Sequence, residues 1–224
     1  VHIEQGKFLE AKKAQVGIVS SSWGARKLKI LITGKPDHTG PTPMDKRSDA
    51  LLTASRIIIK VNEIATLSNG TLHSSVGRME LTPNSPNTVV EEAILWIEFR
   101  AVNDLELDKA EAELNEFMNM KHLVNTCSSQ QVSREVRKVV KFDELAFSKI
   151  CNAFKRNNIN YLEMTTVAGH DALQLQSYCP STLIFIPSKD GISHSPEEFT
   201  SDIDIVNGYN ASLIALSELF FDNN

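Results

Sequence analysis

His38-Thr39-Gly40-Pro41-Thr42-Pro43-Met44-Asp45-Lys46-Arg47-Ser48-Asp49-Ala50 is the most informative stretch of this chain. Gly40, Pro41 and Pro43 lie so close together that the segment cannot sit inside a helix or a central strand. Before it, Lys27–Thr33 alternates polar and apolar residues as a strand does. After it, Leu51, Ala54, Ile58, Val61 and Ile64 fall at helical spacing, so a helix is expected over 44–67. Thr42 reads as its N-cap, Pro43 as its first residue, and Asp45 as an acid favouring the positive end. His38 is thereby held on a rigid corner between strand and helix, where one imidazole can be presented outward. Read from the residues alone, a plain surface turn that contains a histidine is an equal alternative.

Downstream, Asn69-Gly70 closes the helix, and strand-like runs over 71–82 and 88–100 flank the turn formers Pro83–Asn87. A second helix is expected over 106–122, with Leu107, Ala110, Leu114, Phe117 and Met118 on one face, and a half-exposed strand over 130–141. Strand–helix–strand–strand–helix–strand is a ferredoxin-like βαββαβ unit, a four-stranded antiparallel sheet with two helices on one face. Such a unit leaves a helix and an edge strand for pairing with a second copy. Around it the rhythm is α/β. Val1–Ile3 and Val16–Ser20 read as strands about one or two helical turns in 7–14. A helix at 143–157, strands at 160–166 and 182–187 with a short helix between them, and a helix at 202–221 follow. That last helix is apolar at Ile205, Tyr209, Leu213, Leu216 and Phe220, with Ser201 and Asp204 as its capping pair. The expected organisation is a discontinuous α/β domain over 1–26 and 143–224, with 27–142 inserted.

A chain of 224 residues, 42% hydrophobic and 23% charged, can bury a sizeable core. Its net charge of −5 gives no footprint for nucleic acid. Its apolar runs are far too short to span a membrane. Cys127, Cys151 and Cys179 are odd in number and widely spaced, which points to free thiols in a reducing compartment. With no signal peptide in view, a cytoplasmic location is the default expectation. The sequence opens on Val1-His2-Ile3-Glu4-Gln5-Gly6 as though within a strand, so a portion of a longer polypeptide is expected.

Several strings resemble the hydantoinase/carbamoylase family of metal-dependent amidohydrolases. They are His2-Ile3-Glu4-Gln5-Gly6, the His-x-Gly-x-Thr-Pro-Met run from His38, Asn87 after Pro83, Glu98-Phe99-Arg100, Gly169-His170-Asp171-Ala172 and Gly191-Ile192-Ser193-His194-Ser195-Pro196-Glu197. The resemblance implies an aminopeptidase-like α/β catalytic domain carrying a ferredoxin-like lid and dimerisation domain. It makes His2 and His194 metal ligands, His38 the donor to the oxygen that becomes negative, and Asn87 and Arg100 the grip on a substrate carboxylate. It also places Gly169 and His170 in a loop by the metal centre, in contact with substrate; read from the residues alone, His170 is equally a satisfied structural histidine. The implied metals are zinc or manganese, two per complete site, which imidazole nitrogen suits. The implied reaction is hydrolysis of an amide or ureido C–N bond by metal-bound water, with a homodimer sharing its sites.

This sequence departs from the family in three places. The family's other metal ligands and its general base precede the His-Ile-Glu-Gln-Gly string, so this stretch alone is expected to be inactive. Gly24-Ala25-Arg26 replaces Gly-Gln-Arg, and Val89-Val90-Glu91 replaces Val-Pro-Gly, which bears on specificity. An exopeptidase or aminoacylase of the same superfamily, and a non-catalytic dimerisation or binding module, are the alternatives.

Overall fold

In chain order the elements of the computed structural model are β1 (His2–Ile3), α1 (Phe8–Lys12), β2 (Val16–Ser22) and β3 (Gly24–Thr33). There follow α2 (Ala50–Thr66), β4 (Leu72–Thr82), β5 (Glu92–Ala101), α3 (Asp104–Met118) and β6 (Ser128–Arg137). The chain ends with α4 (Glu144–Arg156), β7 (Tyr161–Thr166), α5 (Asp171–Leu175), β8 (Leu183–Ile186) and α6 (Asp202–Phe220). The structure describes residues 1–120 and 127–220. Two units emerge, residues 1–23 with the chain from 140 onward, and residues 24–139.

The segment 24–139 follows from its alternation. Along β5, Ala93, Leu95, Ile97, Phe99 and Ala101 are buried while Glu92, Ile94, Trp96, Glu98 and Arg100 lie on the other face. The sheet order is β4-β5-β3-β6, and every neighbouring pair is antiparallel. Leu28, Ile30 and Ile32 of β3 join the β5 residues in a core with Ile57, Val61 and Ile64 of α2 and Leu107 and Leu114 of α3.

Helix α2 starts later than expected. Met44–Lys46 form a single 3-10 turn, Arg47 is extended, and the cap is Asp49 instead of Thr42. The Asp49 carboxylate accepts from the backbone N–H groups of Leu51 and Leu52 at 3.0 and 3.1 Å. A carboxylate taking two orphan donors at a positive helix end outcompetes a threonine hydroxyl, and two nearby prolines stiffen the turn instead. The buried stripe is Ala50, Thr53, Ala54, Ile57, Val61 and Ile64, so Leu51 turns to solvent and Ile58 is only partly buried.

In the other unit the sheet order is β1-β8-β2-β7, with β8 antiparallel to β2 and the remaining pairs parallel. Val16, Ile18, Ile150, Phe154, Ile184 and Ile186 form one side of its core. Helix α6 does not bury its large apolar residues. Ile205, Tyr209, Leu213, Leu216 and Phe220 are exposed, and the buried residues are Gly208, Ala211 and Ala215. The reason is close approach: a Cβ on Gly208 would lie 2.4 Å from Ile186 Cγ2. Small residues let the helix axis sit against β8, and larger ones on that side would hold it away.

Strand β6 is also displaced from its expected span. Val140 and Lys141 leave the four-stranded antiparallel sheet, and Ser22 N–H donates to the Val140 carbonyl at 2.8 Å. The expected ends of the second and last helices, residues 121–122 and 221, lie outside the described residues. No helix among the described residues is long and apolar enough to cross a membrane.

Candidate functional site

Strand β1 sets His2 beside β8, with His2 opposite Phe185. The His2 and His170 rings meet edge to face, centroids 4.6 Å apart, and His170 lies 5.1 Å from the Phe185 ring. His170, the residue before α5, is 3.1 Å from Thr166 Oγ1 through Nε2. His2 Nδ1 lies 2.8 Å from the carbonyl of Ile3. A carbonyl only accepts, so in the neutral ring Nδ1 carries the proton and Nε2 keeps its lone pair. That is the tautomer of a metal-ligating imidazole whose other nitrogen is fixed by a carbonyl.

His194 sits in the loop after β8 with φ of 56°, and its backbone N–H donates to Glu198 Oε2 at 3.1 Å. Gly191, at φ 67°, passes so close to Gly6 that a Cβ there would be 2.7 Å from the Gly6 carbonyl carbon. The chain just after His2 and the loop leading to His194 are therefore neighbours. Glu4 explains the acid of the His-Ile-Glu-Gln-Gly string. Its buried carboxylate accepts from the N–H groups of Phe8 and Leu9, both at 2.9 Å, and anchors the start of α1. Gly6 leaves room for that carboxylate, since a Cβ would approach Glu4 Oε1 to 2.7 Å.

Whether these residues fit a zinc or manganese ion is a question of ligand number. His2 has the fitting tautomer, but a bound ion needs three or four protein ligands and a dinuclear pair needs a bridging carboxylate. No group of three or more His, Cys, Asp or Glu side chains able to hold a metal exists among the described residues. The donors among the described residues do not make a complete centre.

In the other unit the corner at His38 is built by a short ladder. His38 bridges Thr88, Val89 N–H donates to the Asp37 carbonyl at 2.8 Å, and Thr39 N–H donates to the Asn87 carbonyl at 3.2 Å. His38 and Asn87, separated by 49 positions in the sequence, are thus brought side by side. Arg47 ties the turn from below, its guanidinium donating to the carbonyls of Thr39 and Thr42. His38 is exposed, and its Nδ1 accepts from Gly40 N–H at 3.0 Å. An accepting Nδ1 fixes the neutral ring's proton on Nε2, which becomes a donor available to an outside oxygen.

Asp37, which sequence reading passed over, is the brace of this corner. Its carboxylate accepts from His38 N–H at 2.8 Å. A hydrogen bond from Thr42, then that backbone bond, hold its pKa below the ordinary 3.8. A depressed folded value means the brace is at full strength above 3.8 and weakens as the pH falls through the folded value. Replacing Thr42→Val removes the leading cause. The Asp37 carboxyl should then titrate closer to 3.8 when followed by side-chain carbon chemical shifts, and an unmoved titration would refute the assignment.

Arg100 stands elsewhere. It is near the end of β5, its Nη2 3.1 Å from Glu98 Oε2. Asn87 precedes the start of that strand, and eight steps along the chain from Glu92 to Arg100 at about 3.3 Å each put roughly 26 Å between the two ends. The structure joins His38 with Asn87, and His2 with His170. It leaves Arg100 at the opposite end of the sheet from His38.

The description of Peptidase family M20/M25/M40 matches residues 1–217. An N-carbamoyl-L-amino-acid amidohydrolase of Rhizobium meliloti is 30% identical over 202 residues, covering 88% of this chain and 47% of that protein. The allantoate amidohydrolase of Escherichia coli is 29% identical over 224 residues, covering 98% of this chain and 53% of that protein. The crystal structure of a hydantoinase/carbamoylase family amidase from Burkholderia multivorans superposes with a TM-score of 0.83 at 33% identity, over 96% of this chain and 53% of that one. The chain spans about half the length of the relatives it matches. With the α/β fold shared by these proteins and the match running almost from end to end, the chain belongs to Peptidase family M20/M25/M40.

Proposed function

We propose that this chain is the C-terminal portion of a metal-dependent amidohydrolase acting on N-carbamoyl amino acids or on ureido acids such as allantoate, and that it is inactive by itself. The observation that carries the reading is His38, exposed on a braced corner with Nδ1 occupied by Gly40 N–H and Nε2–H left to donate. Donors aimed at an oxygen that gains charge in the transition state are a large contribution to hydrolysis of a carbonyl centre. Asn87 stands next to it as a source of amide donors. Arg100 offers the two-pronged guanidinium that suits a substrate carboxylate.

In this reading His2 and His194 complete a zinc or manganese centre whose other ligands lie in the rest of the protein, and Gly169 and His170 border it. The segment 24–139 acts as a ferredoxin-like lid and dimerisation domain of a cytoplasmic enzyme. The roughly 26 Å between the Asn87 end and the Arg100 end of the sheet exceeds the length of a ureido acid. His38 and Asn87 of one copy therefore serve the substrate held by Arg100 of the other, in a homodimer with shared sites. The test is a panel of N-carbamoyl amino acids, allantoate and dipeptides given to the intact protein. Ureido compounds should be hydrolysed at least about 100-fold more efficiently than dipeptides, because buried polar groups shaped for one substrate reject another strongly. Preference for dipeptides would overturn the reading.

A further inference from the structure

The face of the four-stranded sheet turned away from α2 and α3 carries a row of residues that sequence reading did not connect. Register places His73 of β4 opposite Arg100, Arg100 opposite Ala25 of β3, and Ala25 opposite Arg137 of β6. Directly opposed residues of antiparallel neighbours share a face, with Cβ atoms about 5 Å apart. Arg100 and Arg137 therefore flank Ala25, the smallest side chain of the row, which is itself buried at 3% exposure.

We propose that Arg137 is a second carboxylate-binding residue, gripping the substrate's carboxylate together with Arg100; this rests on the reading of Arg100 as the carboxylate anchor. Two guanidinium forks can take both oxygens of one carboxylate from two directions, which fixes its orientation as well as its charge. The surroundings agree. Burial first, and the Arg100 charge second, lower the basicity of Arg137, while Glu98 acts in the opposite sense. The two cations thus feel each other across Ala25, and an anion between them relieves that repulsion.

The charge of the face sets the class of ligand. The next row contains Ser75, Glu98, Lys27 and Glu135. Arg100, Arg137 and Lys27 stand against Glu98 and Glu135, three cations to two anions, so the excess is one positive charge. That matches a monocarboxylate. Arg137 escapes a reading by motif because it ends a strand of alternating charges that looks like an ordinary solvated edge.

The experiment is calorimetric titration of the intact protein, freed of metal by chelation so that nothing is turned over, with N-carbamoyl-β-alanine at low salt, beside its carboxamide analogue and butyrate. The acid should bind more tightly than the carboxamide, Arg137→Ala should weaken the acid by about tenfold or more, and Arg137→Lys should fall between. Arg137→Gln, which keeps the stem over Ala25, replaces the alanine variant if circular dichroism shows that variant unfolded. Unchanged affinity in a folded Arg137 variant overturns the proposal, as does equal binding of acid and carboxamide by the unsubstituted protein. If butyrate binds as well as N-carbamoyl-β-alanine and Arg137→Ala weakens both, the arginine pair stands and the amidohydrolase reading loses its support.

Discussion

Mixing His38→Ala subunits with Arg100→Ala subunits of the intact protein should restore activity that neither variant has alone. Each single substitution is expected to lower kcat/KM by roughly 100-fold or more, His38 through the lost donor to the developing oxyanion and Arg100 through the lost carboxylate grip. The rescue follows from where the structure puts these residues. His38 stands on the ladder with Asn87 and Thr88 ahead of β5, and Arg100 lies near the far end of that strand. In a two-fold dimer whose sites each take His38 from one copy and Arg100 from the other, a mixed dimer holds one doubly damaged site and one intact site. Random re-pairing should return about one quarter of the unsubstituted activity. Mixtures no more active than the separate variants would show that each site draws on a single copy.

Glu111→Ala should destabilise the protein by about 3–5 kcal/mol, because it strips a buried cation of its most buried counter-charge. Arg26 has a side chain only 5% exposed. Its Nε lies 3.8 Å from Glu111 Oε2 and its Nη2 lies 2.9 Å from Asp108 Oδ1, but Asp108 is largely in solvent. Glu111 is itself held in place by Arg134, whose Nε and Nη2 donate to its two oxygens at 2.6 and 2.9 Å. Without Glu111 the Arg26 charge keeps only hydrated partners, and burial of the guanidinium becomes a net cost. The paired change Arg26→Met with Glu111→Leu should return to within about 1 kcal/mol of the starting stability, since well-packed apolar side chains commonly replace a buried ion pair without loss. Urea unfolding followed by tryptophan fluorescence reads both. A loss below about 1 kcal/mol for the alanine variant would mean Arg26 finds water or another acid.

What could be read without coordinates follows the strength of the local signal. The alternation of β5 admits one register, because shifting it by a residue would turn Phe99 and Leu95 to the wrong face. The order of strands and helices across 24–139 followed from such patterns. Helix α6 shows the opposite case. Its large apolar residues form an orderly stripe, but the neighbouring strand accepts Gly208, Ala211 and Ala215, and nothing in a helix's own periodicity reports the space its neighbour leaves. The start of α2 was misplaced because Thr42 and Asp49 are both competent caps, and only the extended backbone at Arg47 separates them. At the candidate site, single residues within motifs were legible, and their adjacency was not. His2 beside His170, His38 beside Asn87, and Arg100 with Arg137 about Ala25 arise from the meeting of segments distant in the chain.

The junction at Trp23 and Val139 has one more consequence. Ala25 pairs with Arg137, and Ser22 is hydrogen-bonded to Val140, so the segment 24–139 begins and ends at adjacent points of the chain. Such a segment can be lifted out as a cassette and the gap bridged by a very short graft.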